Sequence, residues 1–442
     1  MCFRGAQDVR VNRNLSPKHA RTSALTVSGV VRSGKWILLE RQRAGVATLC
    51  EFELREIALP YRFQYGHAAH QHRGLRAVIC VARDESGRVG LGEAVPRTYV
   101  TGETCQSILA DAEWLIAAFD WRAPDPEQQL AQRLALLQSH TGPFPSCALC
   151  VLDTAAADLW SQQVEQPLAR WSGAPSLEPL TYSASIGMSG IRKMKALMWL
   201  YRRLGIRQFK LKVGDEMDEQ RLRLFRRKMG SEARVFVDAN GAWDRATAIR
   251  KLEMFQKWDV WAVEEPLQWR DAVTTQSGQM DRLAVLDDEH YHAYAWLRKR
   301  APIPLIADES LICTTSLARI LQFDAFDILN LRLSKCGGPL LTSHMALTGT
   351  RNDLQFALGA MVGETPILAT AGAHFAAAHR EHLYVQGYSH RLLHARSFVT
   401  GAPRFRRSQV SFAAPLDLGA GLHLDCRKLD AITQTKKRIL PR

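Results

Sequence analysis

The chain has 442 residues, of which 46% are hydrophobic and 23% charged, enough to build a large core in more than one ordinary domain. Its most apolar window, residues 356–378, is broken by Gly, Glu, Thr and His and falls short of the roughly 18 uninterrupted apolar residues of a membrane span, so no membrane partner is expected. The formal charge of +14 sits at the chain ends: residues 1–48 carry +7, residues 390–442 carry +8, and about −1 remains for the body, which argues against a nucleic-acid-binding stripe across the fold.

Residues 1–48 are Arg-rich and acid-poor, like a transit peptide, but lack the apolar centre of a secretory signal; a disordered basic extension is expected. Cys50 to Phe63 then alternates apolar and polar residues, Ala77 to Arg83 forms a second strand-like run, Asp84-Glu-Ser-Gly-Arg supplies a turn, and Val89 to Val95 returns as a third strand. From Gly102 to about Leu137 the apolar spacing lengthens to that of helices, as it does again from Ala148 to Gln162, so residues 49–178 are expected to form an α+β capping domain. Nine cysteines, an odd number without a small-domain framework, suit free thiols in a reducing, cytoplasmic setting, and Cys147 and Cys150 fall in a predicted helix where core packing explains their spacing.

From Thr181 short apolar strands alternate with helical stretches. Strands are predicted around residues 182–187, 209–214, 235–240, 261–266, 304–310, 327–333, 355–361 and 383–388, and eight such units predict an α/β fold: a (β/α)8 TIM-type barrel over residues 179–395, behind the N-terminal α+β capping domain. The connection from Leu267 to Pro302 is long and polar and reads as an insertion, and residues 396–442 are expected to return to the capping domain. A doubly wound open sheet needs a Gly-rich phosphate loop opening a helix; Gly87, Gly90 and Gly92 lie in the β-meander instead.

In a barrel the carboxyl ends of the strands line the active site, and here they are repeatedly ionisable. The second strand ends with Lys210-Leu-Lys212, the third with Asp238-Ala-Asn240, the fourth with Glu264-Glu265, the fifth with Asp308-Glu309, and the sixth with Arg332 followed by Lys335. Any one of these could be an ordinary charged strand tip. Three carboxylates from adjacent strands, however, offer the hard oxygen donors that Mg2+ or Mn2+ prefers, with no His/Cys cluster of zinc spacing to compete. A cation there could bind a substrate carboxylate and offset the charge that develops when its α-carbon loses a proton to Lys212, with neighbouring positive charge favouring the proton-accepting form of that lysine.

The order Lys-x-Lys, Asp-Ala-Asn, Glu-Glu-Pro, Ala-Asp-Glu-Ser and Asn330-Leu-Arg-Leu-Ser-Lys-Cys-Gly-Gly338 resembles the mandelate racemase and muconate lactonizing branch of the enolase superfamily. The resemblance runs from about residue 50 to at least residue 390. It implies a cap whose loops close over the barrel, a metal-stabilised enediolate, Lys212 as base with Lys210 beside it, and Asp238, Glu264 and Asp308 as ligands of Mg2+ (Mn2+ being possible). Asn240, Glu265 and Glu309 are then supporting residues, Asn240 also within reach of substrate, with Glu309 as an alternative ligand. A small-molecule carboxylate substrate and a homo-oligomer are expected.

Two departures shape the reaction expected. The muconate lactonizing subgroup typically presents a second catalytic lysine at the place taken by Arg332, and arginine is effectively never a base. One-base elimination from a hydroxy acid, a dehydratase reaction, is therefore the leading expectation, with racemisation, epimerisation or cycloisomerisation as the alternative and an inactive binding barrel as the third. Lys335 could restore two-base chemistry, but it lies an odd number of residues from Arg332 and should face away along a regular strand. The eighth-strand Asp-x-Asp sequence usual in dipeptide epimerases is replaced by Tyr384-Val-Gln386-Gly-Tyr388. Glu364 on strand seven, and His67, Arg97 and Tyr99 on loops hinged at Gly66 and Gly102, are candidate substrate contacts.

Overall fold

The computed structural model describes residues 47–441 apart from 68–69, 122–124, 141–142, 174–175, 177, 269–285, 389, 395 and 413–416. All but the last two residues of the basic extension therefore lie outside the described residues.

The capping sheet is an antiparallel meander of Leu49–His67, His70–Asp84 and Val89–Ala94, extended on its free edge by Thr433–Ile439 from the end of the chain, which pairs antiparallel with the first strand from Phe52↔Ile439 onward. Phe52 and Leu54, two residues apart on one strand face, are fully buried, as period-two alternation requires. The helical stretch read from Gly102 to Leu137 is divided into Cys105–Ala118 and Pro126–Ser139. Thr104 and Ser107 form a capping box at the start of the first, while Asp125 accepts from the Glu127 and Gln128 amides and Pro126 occupies the first turn of the second.

The helix Ser146–Gln163 lies directly on the third cap strand, with Cys147 and Cys150 fully buried in the contact layer. Gly90 and Gly92 permit this approach: a Cβ on Gly92 would stand 2.0 Å from the Val151 carbonyl oxygen, and one on Gly90 would stand 2.2 Å from that of Ala155. Their purpose is close helix-to-sheet packing, not phosphate binding. Gly92→Ala is expected to cost about 1–3 kcal/mol of stability by overpacking, read as a lowered midpoint in urea denaturation.

The second sheet is parallel and takes its strands in chain order: Ala184–Ile186, Gln208–Lys212, Arg234–Asp238, Val263–Glu264, Leu305–Ala307, Ile328–Leu331 and Gln355–Leu358. Single parallel bridges from Val385 to Leu358 on one side and to Tyr182 on the other close the ring. The eighth predicted strand is thus reduced to the neighbourhood of Val385, because Gly387 and Tyr388 turn to positive φ, 119° and 58°, and end the extended run. Phe236, Ala262, Ile306, Ile328, Ala357 and Tyr384, drawn from consecutive strand positions, pack into a separate apolar cluster within the ring. Of the predicted insertion, residues 269–285 lie outside the described residues, and Asp288–Arg298 is a helix capped by Asp287.

Cap and barrel are joined through a buried carboxylate. Glu93 on the third cap strand accepts from the Thr365 amide at 2.8 Å, the Thr365 hydroxyl at 2.7 Å and the Leu368 amide at 2.9 Å, at the start of the barrel helix Pro366–Ala378. Two of the three donors are amides that a helix start leaves unpaired, so a carboxyl group from the cap is well placed there. No helix among the described residues is long and apolar enough to cross a membrane.

Candidate active site

The parallel register sets Lys212 beside Asp238 and Asp238 beside Glu264, and Glu264 pairs with Ile306, two residues before Asp308. Four strands therefore deliver their last charged side chains to one end of the ring. Lys210 Nζ lies 2.7 Å from Glu264 Oε1 and 2.9 Å from Asp238 Oδ2. Lys212 Nζ is 3.3 Å from Asp238 Oδ2 and donates to Asn240 Oδ1. Arg332 Nη2 pairs with Asp308 Oδ2, and Lys335 Nζ with Asp308 Oδ1 at 2.8 Å. Asn330, which sequence reasoning left without a role, donates from Nδ2 to Glu264 Oε1 at 3.1 Å; its place in the quoted Asn-Leu-Arg motif was the available signal.

Three expected ligands thus face four cationic groups in a buried space. Burial opposes ionisation of Asp238, but Lys210 and Lys212 hold it well below the usual carboxylate range. Burial likewise works against the Lys210 ammonium, and Asp238 and Glu264 more than restore it, so Lys210 stays above the ordinary lysine value. Burial pushes Lys335 down to about 8. Glu309 is raised to about 8 by burial and then by Asp238, Glu265 and Glu264, and Glu265 is raised to about 7, chiefly by burial.

The supporting residues form a second tier. Glu265 Oε1 accepts from the Asp308 and Ser310 amides at 2.7 and 2.8 Å, while Oε2 accepts from the Tyr294 and Ser310 hydroxyls at 2.9 and 2.8 Å, tying the fourth strand end to the fifth. Asn240 and Glu265 both take left-handed backbone, φ 44° and 42°, where the chain leaves its strand and turns side chains inward. Asn240 Nδ2 reaches Glu309 Oε1 at 3.3 Å.

Lys335 departs from the expectation that it would face away. The sixth strand ends at Leu331, so the period-two rule does not extend to residue 335; the following turn carries Nζ back to Asp308 and to the Asn330 carbonyl at 3.0 Å. Its side chain is 0% exposed and its donors are all engaged, so it braces Asp308 and is not free to exchange protons with a substrate.

Glu364 is buried near the seventh strand end, accepts from the Met361 amide at 2.6 Å, and is raised to about 8 by burial. Arg97 spends its two terminal nitrogens on the Pro96 and Val362 carbonyls, the latter at 2.5 Å, linking cap to barrel instead of presenting them to a substrate. Tyr99, in the short helix Thr98–Thr101, lines a cleft of about 740 Å3 on the cap with Glu56, Arg76 and Cys105, and none of the catalytic candidates lines that cleft with it. The side chain of His67 lies outside the described residues.

Residues 193–278 and 284–428, more than half of the chain, match the family model described as enolase C-terminal domain-like. The chain belongs to the enolase superfamily. Within it, the mandelate racemase and muconate lactonizing branch is the one shared by its relatives. The N-succinyl-L-Arg/Lys racemase of Bacillus cereus is 24% identical over 329 residues, covering 73% of this chain and 82% of that protein. The dipeptide epimerase of Cytophaga hutchinsonii, solved with Mg and the dipeptide D-Ala-L-Val, superimposes with a TM-score of 0.73 at 22% identity, over 89% of this chain and all of that one. A muconate lactonizing enzyme from Pseudomonas fluorescens gives a TM-score of 0.75 at 22% identity, over 88% of this chain and all of that one. These relatives are isomerases, so the dehydratase expectation finds no support among them, and the alternative of racemase, epimerase or cycloisomerase chemistry is the better supported.

The donor set fits a hard divalent cation in two respects. Glu264 Oε2 and Glu309 Oε2 are buried carboxylate oxygens without a hydrogen-bond partner, and the acceptors that Lys210, Lys212 and Lys335 meet are all oxygens. It differs from the sequence expectation in a third: among the described residues no three acidic, His or Cys side chains converge as a ready cage, because Asp238 and Asp308 turn toward Lys210, Lys212, Lys335 and Arg332. Buried carboxylates this close repel one another, and the cationic side chains are what offsets that repulsion.

Proposed function

We propose that this chain is a Mg2+-dependent isomerase that moves the α-proton of a carboxylate substrate with one general base, Lys212. The carrying observation is accessibility within the lysine cluster: the Lys212 side chain is 16% exposed, against 6% for Lys210 and 0% for Lys335, so Lys212 is the lysine a substrate can meet. Asp238, Glu264 and Asp308 would hold the cation, which supplies positive charge to offset the second negative charge of the deprotonated carboxylate. Arg332, which pairs with Asp308 at the same ring end, would supply a guanidinium that orients the substrate anion.

Strands two and six stand four apart in a ring of eight positions, so Lys212 and Arg332 face each other across the mouth. Arginine holds charge and donates hydrogen bonds but does not give up its proton, so the face opposite Lys212 has a positioning group and no base. Lys212 then works on one face only, as cycloisomerisation permits: it removes the proton α to a carboxylate as the lactone C–O bond at the β-carbon breaks to give the diene, and in reverse delivers that proton as the C–O bond forms. Inversion at a single carbon needs a proton from the opposite face. The second reading, racemisation or epimerisation, is favoured by the chemistry named for the relatives.

Incubation with Mg2+ in D2O separates the two. Dienoic acids and their lactones, N-acylamino acids and dipeptides would be screened for deuterium at the α-carbon and for configuration there. Deuterium with configuration retained is the expected outcome, and Arg332→Lys is expected to add inverted product. Inverted product from the unaltered enzyme would replace the one-base account with the second reading, and lack of exchange with every carboxylate would overturn both.

A further inference from the structure

Apart from the carboxylate cluster, a cavity of about 350 Å3 opens between the end of the first cap strand and the chain that follows the barrel. Its lining includes Arg62 from the cap and His390, His394, Arg396 and Ser397 from beyond the eighth barrel position. Tyr61 and His394 meet in an antiparallel bridge, so the two sides of the cavity are held together at its edge. Four basic side chains line it and no carboxylate does. Among the described residues, neither Arg62 nor Arg396 has an ion-pair partner.

His394 fixes the chemistry of the wall. It is more than nine-tenths buried, and its Nε2 stands 2.8 Å from the Gly363 carbonyl, which can only accept, so the ring proton is on Nε2. Nδ1 is buried without a partner. The wall behind it is preformed: Gly363 sits at φ +86°, and a Cβ there would lie 1.9 Å from Tyr61 Oη, whose ring packs on His394 at 5.6 Å. The neighbouring helix start does not account for the site, since Glu93 already takes its Leu368 amide.

We propose that this cavity binds an oxyanion group, with the Arg62 and Arg396 guanidinium forks on its oxygens and the neutral His394 accepting at Nδ1 from its hydroxyl. Guanidinium matches paired oxygens in geometry as well as charge, and a neutral imidazole acceptor suits hydrogen phosphate or a hydroxyl beside a carboxylate. The volume lies near the lower end of the roughly 300–1,000 Å3 usual for small-molecule sites. Because Arg62 belongs to the cap and the other groups follow the barrel, an anion here also ties the two together. The group can be free in solution or the distal end of a substrate.

Calorimetric titration of the full chain with inorganic phosphate tests the site, at ionic strength held constant with chloride because both arginines are exposed to screening. One saturable site is expected, weakened at least about tenfold in the double variant Arg62→Gln, Arg396→Gln, with an unchanged circular dichroism spectrum. No saturable heat, or equal affinity in the double variant, overturns the proposal. Exchange kinetics then assign the source. A rise in KM confined to carboxylates bearing a second anionic group marks a substrate end, and unchanged KM for all substrates alongside lost phosphate binding marks a free anion. If no carboxylate exchanges at all, the isomerase reading fails while the phosphate titration still decides the cavity.

Discussion

Lys212→Ala is expected to slow α-hydrogen exchange by about 10²–10⁴-fold, the usual contribution of a positioned general base, with little change in stability. The two effects separate because of where the side chain lies. Lys212 is partly exposed, and after its removal Asp238 keeps Lys210 at 2.9 Å, so no buried charge is left unpaired. Exchange followed by NMR in D2O, beside thermal unfolding monitored by circular dichroism, reads both. Partial recovery of exchange on adding small primary amines would identify the missing group as a base. Exchange within about twofold of the parent would remove Lys212 from the chemistry, against the at least 10²-fold loss expected of a base.

Much of this site could be read from sequence because barrel strands are short apolar runs, in which a terminal Lys, Asp or Glu stands out against Val, Ile, Leu and Phe. Lys210, Lys212, Asp238, Glu264 and Asp308 were legible for that reason, and the parallel order carries them to one end of the ring. Lys335 was not, since the rule that sends alternate residues to opposite faces ends with the strand at Leu331. The pairing of Arg332 with Asp308 was equally hidden: sequence shows which charges share a ring end but not which of four cations takes which carboxylate oxygen. Glu93 looked like one more residue of a Gly-rich meander, and its three donors lie more than 270 residues further along the chain. The same holds for Arg62 and Arg396, whose shared cavity depends on how the chain folds back after the barrel. The eighth strand was overestimated because Tyr384, Val385 and Tyr388 look β-forming, whereas the local φ of Gly387 and Tyr388 ends the run.

Lys335→Met is expected to destabilise the fold by about 3–5 kcal/mol, the range found when one partner of a buried ion pair is removed. Lys335 and Asp308 are both fully buried, and the ammonium also closes on the Asp308 and Asn330 carbonyls, so the methionine thioether would leave one carboxylate oxygen and the Asn330 carbonyl without that donor, while the Asp308 carbonyl keeps the Leu311 amide at 3.0 Å. Arg332 remains on the other Asp308 oxygen, which places the loss toward the lower end of that range. Denaturant midpoints at neutral pH measure it. The double variant Asp308→Asn, Lys335→Met should be less destabilised than the two single changes sum to, because each single change strands a partner that the double change removes. Strict additivity would mean that Lys335 packs in the core without bracing Asp308. A large coupling would mark Lys335 as the group that holds an expected metal ligand in place from below, while Lys212 meets the substrate from the mouth.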